Sequence, residues 1–200
     1  MRRLIGVVLV FAVVPAAAVA AVQAGAWKSH TVKAARISVS APDTWIDVTR
    51  LSPQVLAKVN EIPSLRQYVE LAQKSKAIKL ILVDAGSTSV KNRYATNMNV
   101  VEVASMGDLQ LLREATVAQL QSSGLIVGSV SSSYVTLPAG KAVRLQYQAR
   151  YGAASPVVSQ LQYMFLHNGT SAVITYTTLP KLRSTYGGTF VRSARSFRFL

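Results

Sequence analysis

The chain has 200 residues, half of them apolar and 15% charged, which suits one domain plus an appendage and excludes an intrinsically disordered protein. Lysine and arginine number 22 against 8 aspartate and glutamate, and this net charge of +14 favours anionic partners. With no cysteine there are no disulfides, thiol nucleophiles or thiolate metal sites, and no lipid-modified N-terminal cysteine of the bacterial lipoprotein kind.

The N-terminus reads as an address. "MRR" is a basic n-region, "LIGVVLVFAVVPAAAVAAVQ" an apolar h-region, and "AGA" at 24–26 a small-residue cleavage site, with "AVA" at 18–20 as another. Residues 1–26 are therefore expected to be a signal peptide. Its removal would take Arg2 and Arg3 and lower the net charge from +14 to +12. The alternative is an N-terminal membrane anchor. The run Leu4 to Val22 is 19 residues, near the roughly 20 that span a bilayer. Pro15 and the alanine-rich second half favour cleavage.

Residues 27–35 open a polar, basic stretch, "WKSHTVKAAR", without a clear period, read as a leader. Ile37 and Val39 then alternate with Ser38 and Ser40 as in a half-buried strand, before Pro42 and Trp45. Ser52-Pro53 is a helix start. After Pro63, the spacing of Leu65, Tyr68, Val69 and Ala72 predicts a helix. "IKLILVD" from Ile78 predicts a buried strand, "AGSTSVKNRYATN" a loop and "MNVVEVAS" another strand. Ser105 and Asp108 are spaced as a capping box. Leu109, Leu112, Thr116 and Leu120 line one face of the helix that follows, and Gly124 ends it.

In "KAVRLQYQARY", Val143, Leu145, Tyr147, Ala149 and Tyr151 alternate with Arg144, Gln146, Gln148 and Arg150, which predicts a strand with one wet face. "LQYMFLHNGTSAVITYT" predicts a hairpin turning at Asn168-Gly169. A two-residue loop sets His167 opposite Thr170, Phe165 opposite Ala172, Tyr163 opposite Ile174 and Leu161 opposite Tyr176. Gln162–Thr175 and Gln160–Thr177 then share the other face. Pro180 opens a last amphipathic segment, weakened as a helix by Gly187 and Gly188. Residues 36–200 read as a single α+β domain with an antiparallel β-sheet.

The order of elements resembles the PsbP-like fold family. Its marks here are the Pro-x-x-Trp step from Pro42 to Trp45, the helix ending in Gly124, the strand with Leu137 and Gly140 running into the one from Ala142, the aromatic hairpin, and a last helix closing with Ser196-Phe197. The resemblance is to the exported bacterial, LpqN-like type, without its lipobox cysteine. It implies an antiparallel sheet flanked by helices, an α/β/α sandwich, with Trp45 in the core. It also implies an adaptor or binding subunit, and it offers no shared catalytic residues.

The residues themselves point the same way. His30 and His167 are the only histidines, so a Ser-His-Asp triad could use only these, and no Gly-x-Ser-x-Gly elbow is present. Asp84 follows an apolar strand and reads as a cap or turn residue. "PAGKAVR" at 138–144 lacks phosphate-loop spacing. "NGT" at 168–170 is required by the turn. No enzyme, cofactor or metal is expected. Basic residues cluster late in the chain, at Lys181, Arg183, Arg192, Arg195 and Arg198, and form the candidate anionic-partner patch.

The reading is an exported, extracytoplasmic binding or adaptor protein of the cell envelope. Its expected partner is an envelope protein, anionic lipid or wall polymer, with no specific nucleic acid, and with membrane contact through the N-terminal segment. The alternative is a carrier of a small apolar or lipid ligand, in a cavity between sheet and helix beside Tyr147, Tyr163 and Tyr176.

Overall fold

Alternation of apolar and hydroxyl side chains makes Ile37–Pro42 a strand with Ile37, Val39 and Ala41 buried on one side. The computed structural model describes residues 25–49, 66, 69–70, 72, 74–105 and 107–200. The expected signal or anchor segment, except its last two residues, lies outside these. So do the Ser52-Pro53 helix start and Leu65 and Tyr68 of the predicted helix face. Arg66, Val69, Glu70, Ala72 and Lys74 of that region are helical.

The strands are β1 (Trp27–Val32), β2 (Ile37–Pro42), β3 (Trp45–Asp47), β4 (Ile78–Asp84), β5 (Asn97–Ala104), β6 (Ile126–Leu137), β7 (Gly140–Ala149), β8 (Val158–His167), β9 (Thr170–Thr178) and β10 (Arg198–Phe199). The helices are α1 (Ser87–Asn92), α2 (Leu109–Ser122) and α3 (Arg183–Ser196). A seven-stranded sheet has the order β3-β4-β5-β9-β8-β7-β6, and a three-stranded sheet the order β1-β2-β10. Every pairing is antiparallel.

The hairpin register is the one the turn dictates. His167 pairs with Thr170, Phe165 with Ala172, Tyr163 with Ile174 and Leu161 with Tyr176. Asn168 and Gly169 both take positive φ, as a type I′ turn requires. The register extends across the sheet, so Leu82, Met98, Tyr176 and Leu161 form one row on one face. That face packs against α3 and β2 in the main core, with Trp45, Tyr186, Phe190, Ala194 and Phe197. The opposite face carries Ile81 and Val83 under Val69 and Ala72, and Val143, Leu145, Tyr147 and Met164 under Leu109, Leu112, Val117 and Leu120 of α2. The architecture is therefore three layers, and the expected antiparallel α+β sandwich is present. One flank is broader than a helix, because the small sheet lies beside α3.

Several local expectations need correction. The stretch 27–35 is no loose leader: Trp27–Val32 pairs residue for residue with Ile37–Pro42, and Lys33–Ala35 forms a 3-10 turn that reverses the chain at Arg36, φ 50°. The loop expected after Asp84 contains α1. The cap of α2 is Asp108 alone, whose carboxylate accepts from the Gln110 and Leu111 amides at 2.9 Å. The strand expected to reach Tyr151 ends at Ala149, leaving Tyr151 exposed. Gln160, Thr175 and Thr177 lie on the second face of the hairpin as expected, where they are buried, with the amides of Gln160 and Gln162 donating to Thr177 and Thr175.

Candidate anionic-partner surface

The period of two assigns each residue of the small sheet to a side. Ile37, Val39 and Ala41 face the core, so their partners Val32, His30 and Lys28 lie on the inward side. Trp27, Ser29 and Thr31 on β1, and Ser38, Ser40 and Pro42 on β2, then face outward. Arg198 pairs with Ser38 and shares this outward side, while Phe199 pairs with Ile37 and points in.

Helix α3 lies alongside. Tyr186, Phe190, Ser193 and Ala194 are its buried residues, and Arg192 and Arg195 are exposed. Ser196 Oγ accepts the Ser40 amide at 2.7 Å and ties the helix end to β2. The Arg192 guanidinium sits over the Trp27 ring, 4.2 Å from its centroid. Arg198 Nη1 donates to the carbonyls of Arg195 at 2.8 Å and Phe197 at 2.7 Å, where the helix end favours cations. Neither β1, β2, β10 nor α3 contains an aspartate or glutamate. The result is an outer face of hydroxyls and one tryptophan, edged by Arg192, Arg195 and Arg198.

The five predicted patch residues do not form one cluster. Arg183 is nine residues before Arg192 on α3, which is about 13 Å along the axis and half a turn around it. It lies by the cleft lined by Val127, Ser131, Gln146 and Tyr147. Lys181 is exposed on the 3-10 turn Pro180–Leu182. Trp27, which the sequence reading missed, belongs to the surface. Its signal was faint, since the inward side of β1 carries Lys28 and His30 and shows no apolar alternation.

The other singled-out residues have structural partners. Asp84 ends β4, and its Oδ1 accepts the Gly86 amide at 2.9 Å, which makes the turn into α1. Its Oδ2 accepts from Ser89 Oγ at 3.1 Å and from the Tyr186 hydroxyl. Burial first, then this bond, raises the Tyr186 hydroxyl above its ordinary value. His167 stacks on Phe199 at 4.2 Å, with Nε2 3.0 Å from Asn168 Nδ2. Trp45 is 5% exposed and meets Phe190 edge-on at 6.4 Å, so it is core. The space expected for an apolar ligand beside Tyr163 and Tyr176 is filled. Tyr176 stacks on Phe190 at 4.9 Å, Tyr163 meets Tyr176 edge-on, and Tyr147 is on the opposite face of the sheet. Among the described residues, no three of His, Asp and Glu come together as metal ligands, and no helix is long and apolar enough to cross a membrane.

No family model matches the chain, and no curated protein matches it. Solved structures do. The solution structure of the cyanobacterial PsbP of Synechocystis sp. PCC 6803 superposes with a TM-score of 0.54 at 13% identity, over 93% of this chain and 99% of that one. The fold is PsbP-like. The Ran-binding protein Mog1p of Saccharomyces cerevisiae superposes with a TM-score of 0.53 at 11% identity, over 88% of this chain and 96% of its own. LpqN of Mycobacterium tuberculosis, involved in cell envelope biogenesis, gives 0.49 at 12% identity, over 89% of this chain and 86% of LpqN. At such identities the likeness shows the fold alone. The outer face of Trp27, Arg192, Arg195 and Arg198 is thus a property of this chain's residues on a PsbP-like frame.

Proposed function

We propose that this protein is an exported, non-enzymatic binding or adaptor module of the cell envelope, acting through the outer face of the small sheet and α3. The observation that carries the reading is the Arg192 guanidinium over Trp27 at one end of the outer face, with Arg195 and Arg198 exposed toward its other end, on four elements without a carboxylate and with Asp43 as an acid just beyond β2. Such a face attracts anionic lipid, wall polymer or an acidic protein surface, and the attraction is screened over about 8 Å at physiological ionic strength. The basic n-region, apolar run and small-residue cleavage site support export. The non-enzymatic reading is supported by Asp84, whose oxygens are engaged by Gly86, Ser89 and Tyr186. The Ran-binding Mog1p supplies the precedent of a binding protein on this fold.

The test is flotation of the full chain with anionic and neutral vesicles across a salt series, beside the variant Arg192→Gln/Arg195→Gln/Arg198→Gln. The expected result is a salt-sensitive excess of binding to anionic vesicles that the variant loses. The N-terminal segment, with Arg2 and Arg3, contributes alike to both proteins, so it cancels between the parent and the variant. An excess unchanged by salt or by the substitutions would place the working surface elsewhere.

A further inference from the structure

Strand β6 is the outer edge of the seven-stranded sheet, and among the described residues no strand pairs with its free side. Sheet edges are usually protected from further pairing by short length, charge, proline or bulges. β3, at the other end of the sheet, is three residues long. β6 has 12 residues, "IVGSVSSSYVTL", with no charge and no proline. A bulge interrupts its pairing with β7 between Val127 and Ser131, with Gly128 at φ 86°, and guards only the first part. Ser131 to Leu137 pairs regularly with β7 and leaves one continuous rail of backbone groups unused.

The side chains on either side of this rail differ. On the α2 side, Tyr134 is 37% exposed and lies between two cations, with the Arg113 guanidinium 5.2 Å and Lys141 Nζ 4.8 Å from its ring centroid. The neighbouring carboxylate of Glu114 is engaged by Gln110 at 3.0 Å. On the other side, Val135 and Leu137 are partly buried against the main core, so an added strand would extend apolar packing there, and the one cation of that row, Arg144 across from Ser133, is engaged with the Tyr163 hydroxyl.

We infer that Ser131–Leu137 is a docking edge for an extended segment of a partner protein, one that alternates acidic and β-branched apolar residues. The acids would lie beside Arg113 and Lys141, and the apolar residues beside Val135 and Leu137. The backbone rail supplies the pairing, and the alternation selects the segment. A second copy of this chain is the poorer occupant, because pairing β6 with β6 would bring the Arg113 and Lys141 cations of both copies to one seam.

The probe is an acetylated, amidated heptapeptide of alternating glutamate and valine, with a lysine–valine peptide as control. Titration by fluorescence anisotropy and hydrogen exchange of the full chain read the outcome. The glutamate peptide is expected to slow amide exchange within Ser131–Leu137 and to bind about tenfold tighter than the lysine peptide at low salt, as two exposed ion pairs allow. Arg113→Glu/Lys141→Glu should reverse the preference. Equal binding of the two peptides overturns the inference. So does protection confined to the face of Arg192, Arg195 and Arg198. Concentration-dependent protection of Ser131–Leu137 without peptide would assign the edge to a second copy and overturn it as well. Because this edge is separate from the α3 face, loss of vesicle binding in the triple arginine variant leaves the peptide result unaffected.

Discussion

The Tyr186 hydroxyl on α3 donates to the Asp84 carboxylate at the end of β4, joining residues 102 positions apart inside the core. The bond ties the start of the last helix to the end of β4, the strand next to the β3 edge of the sheet. Tyr186→Phe removes it without changing ring volume. The expected loss is about 1.5–3 kcal/mol of unfolding free energy, the range for a bond to a charged group, measured by denaturant titration. The loss should be smaller in an Asp84→Asn background, since the two changes break the same contact.

The same hydroxyl sets an alkaline limit. Burial, and then the bond to Asp84, raises the folded value of Tyr186 above 10.0. A raised value means that folding favours the neutral phenol. Its contribution is therefore full below the unfolded value and disappears as pH rises through the folded one. Burial raises Tyr147 and Tyr176 in the same direction. Stability should hold from about pH 7 to about pH 10 and then fall, with a shallower fall in Tyr186→Phe. Unfolding free energies of both proteins between those limits and about pH 11 check this. A fall that begins below pH 9 would implicate other groups.

Trp45→Ala should cost roughly 3–5 kcal/mol, because the ring is enclosed and its removal leaves a cavity against Phe190. Its position straight after β2 marks it as the pin between the small sheet and β4: Trp45 pairs with Asp84, the residue that also holds Tyr186. Denaturant midpoints at constant slope decide the matter, and a loss below about 1 kcal/mol would contradict the core assignment of Trp45.

These cases show where the sequence was readable. The hairpin was legible pair by pair, because Asn168-Gly169 admits one turn and one register, and the apolar pattern agrees with it. Trp45 was legible from its place after the proline step. β1 was not, because an edge strand tolerates Lys28 on its inward side. Of β6, the resemblance marked only the Leu137 end, in a strand that the structure divides between β6 and β7; the serine-rich stretch before it was hidden, since it has no strong alternation and its strand character comes from pairing with β7. The patch was readable as composition only. Which arginines meet depends on α3 turning Arg183 away from Arg192, and on β1 delivering Trp27 from the other end of the chain.

Glycine substitutions should have opposite signs in two places. Gly169 has φ 73° with open space around it, so Gly169→Ala meets no clash and pays only for the left-handed backbone, about 1 kcal/mol. Gly187 lies inside α3, also with open space where a Cβ would sit. Gly187→Ala should stabilise by about 0.5–1 kcal/mol, since alanine loses less backbone entropy in a helix. Thermal midpoints of the two variants should move in opposite directions. A gain at Gly169 would contradict the type I′ assignment.

Trp27 separates stability from binding on the outer face. Its ring is half-buried and holds Arg192 at 4.2 Å, an arrangement at the exposed end of the cation–π range. Trp27→Ala should therefore cost only about 0.5–1 kcal/mol of unfolding free energy. Its effect on anionic vesicles should exceed that of a lost surface contact, because Arg192 then loses the ring that holds it on the outer face. Trp27→Phe keeps an aromatic face under the guanidinium and should restore most of the binding. The pair of variants distinguishes two roles for the ring. If both bind as poorly as each other, the indole itself touches the partner. If both bind as well as the parent, the arginines act as independent charges, and the order imposed by β1 contributes nothing to recognition.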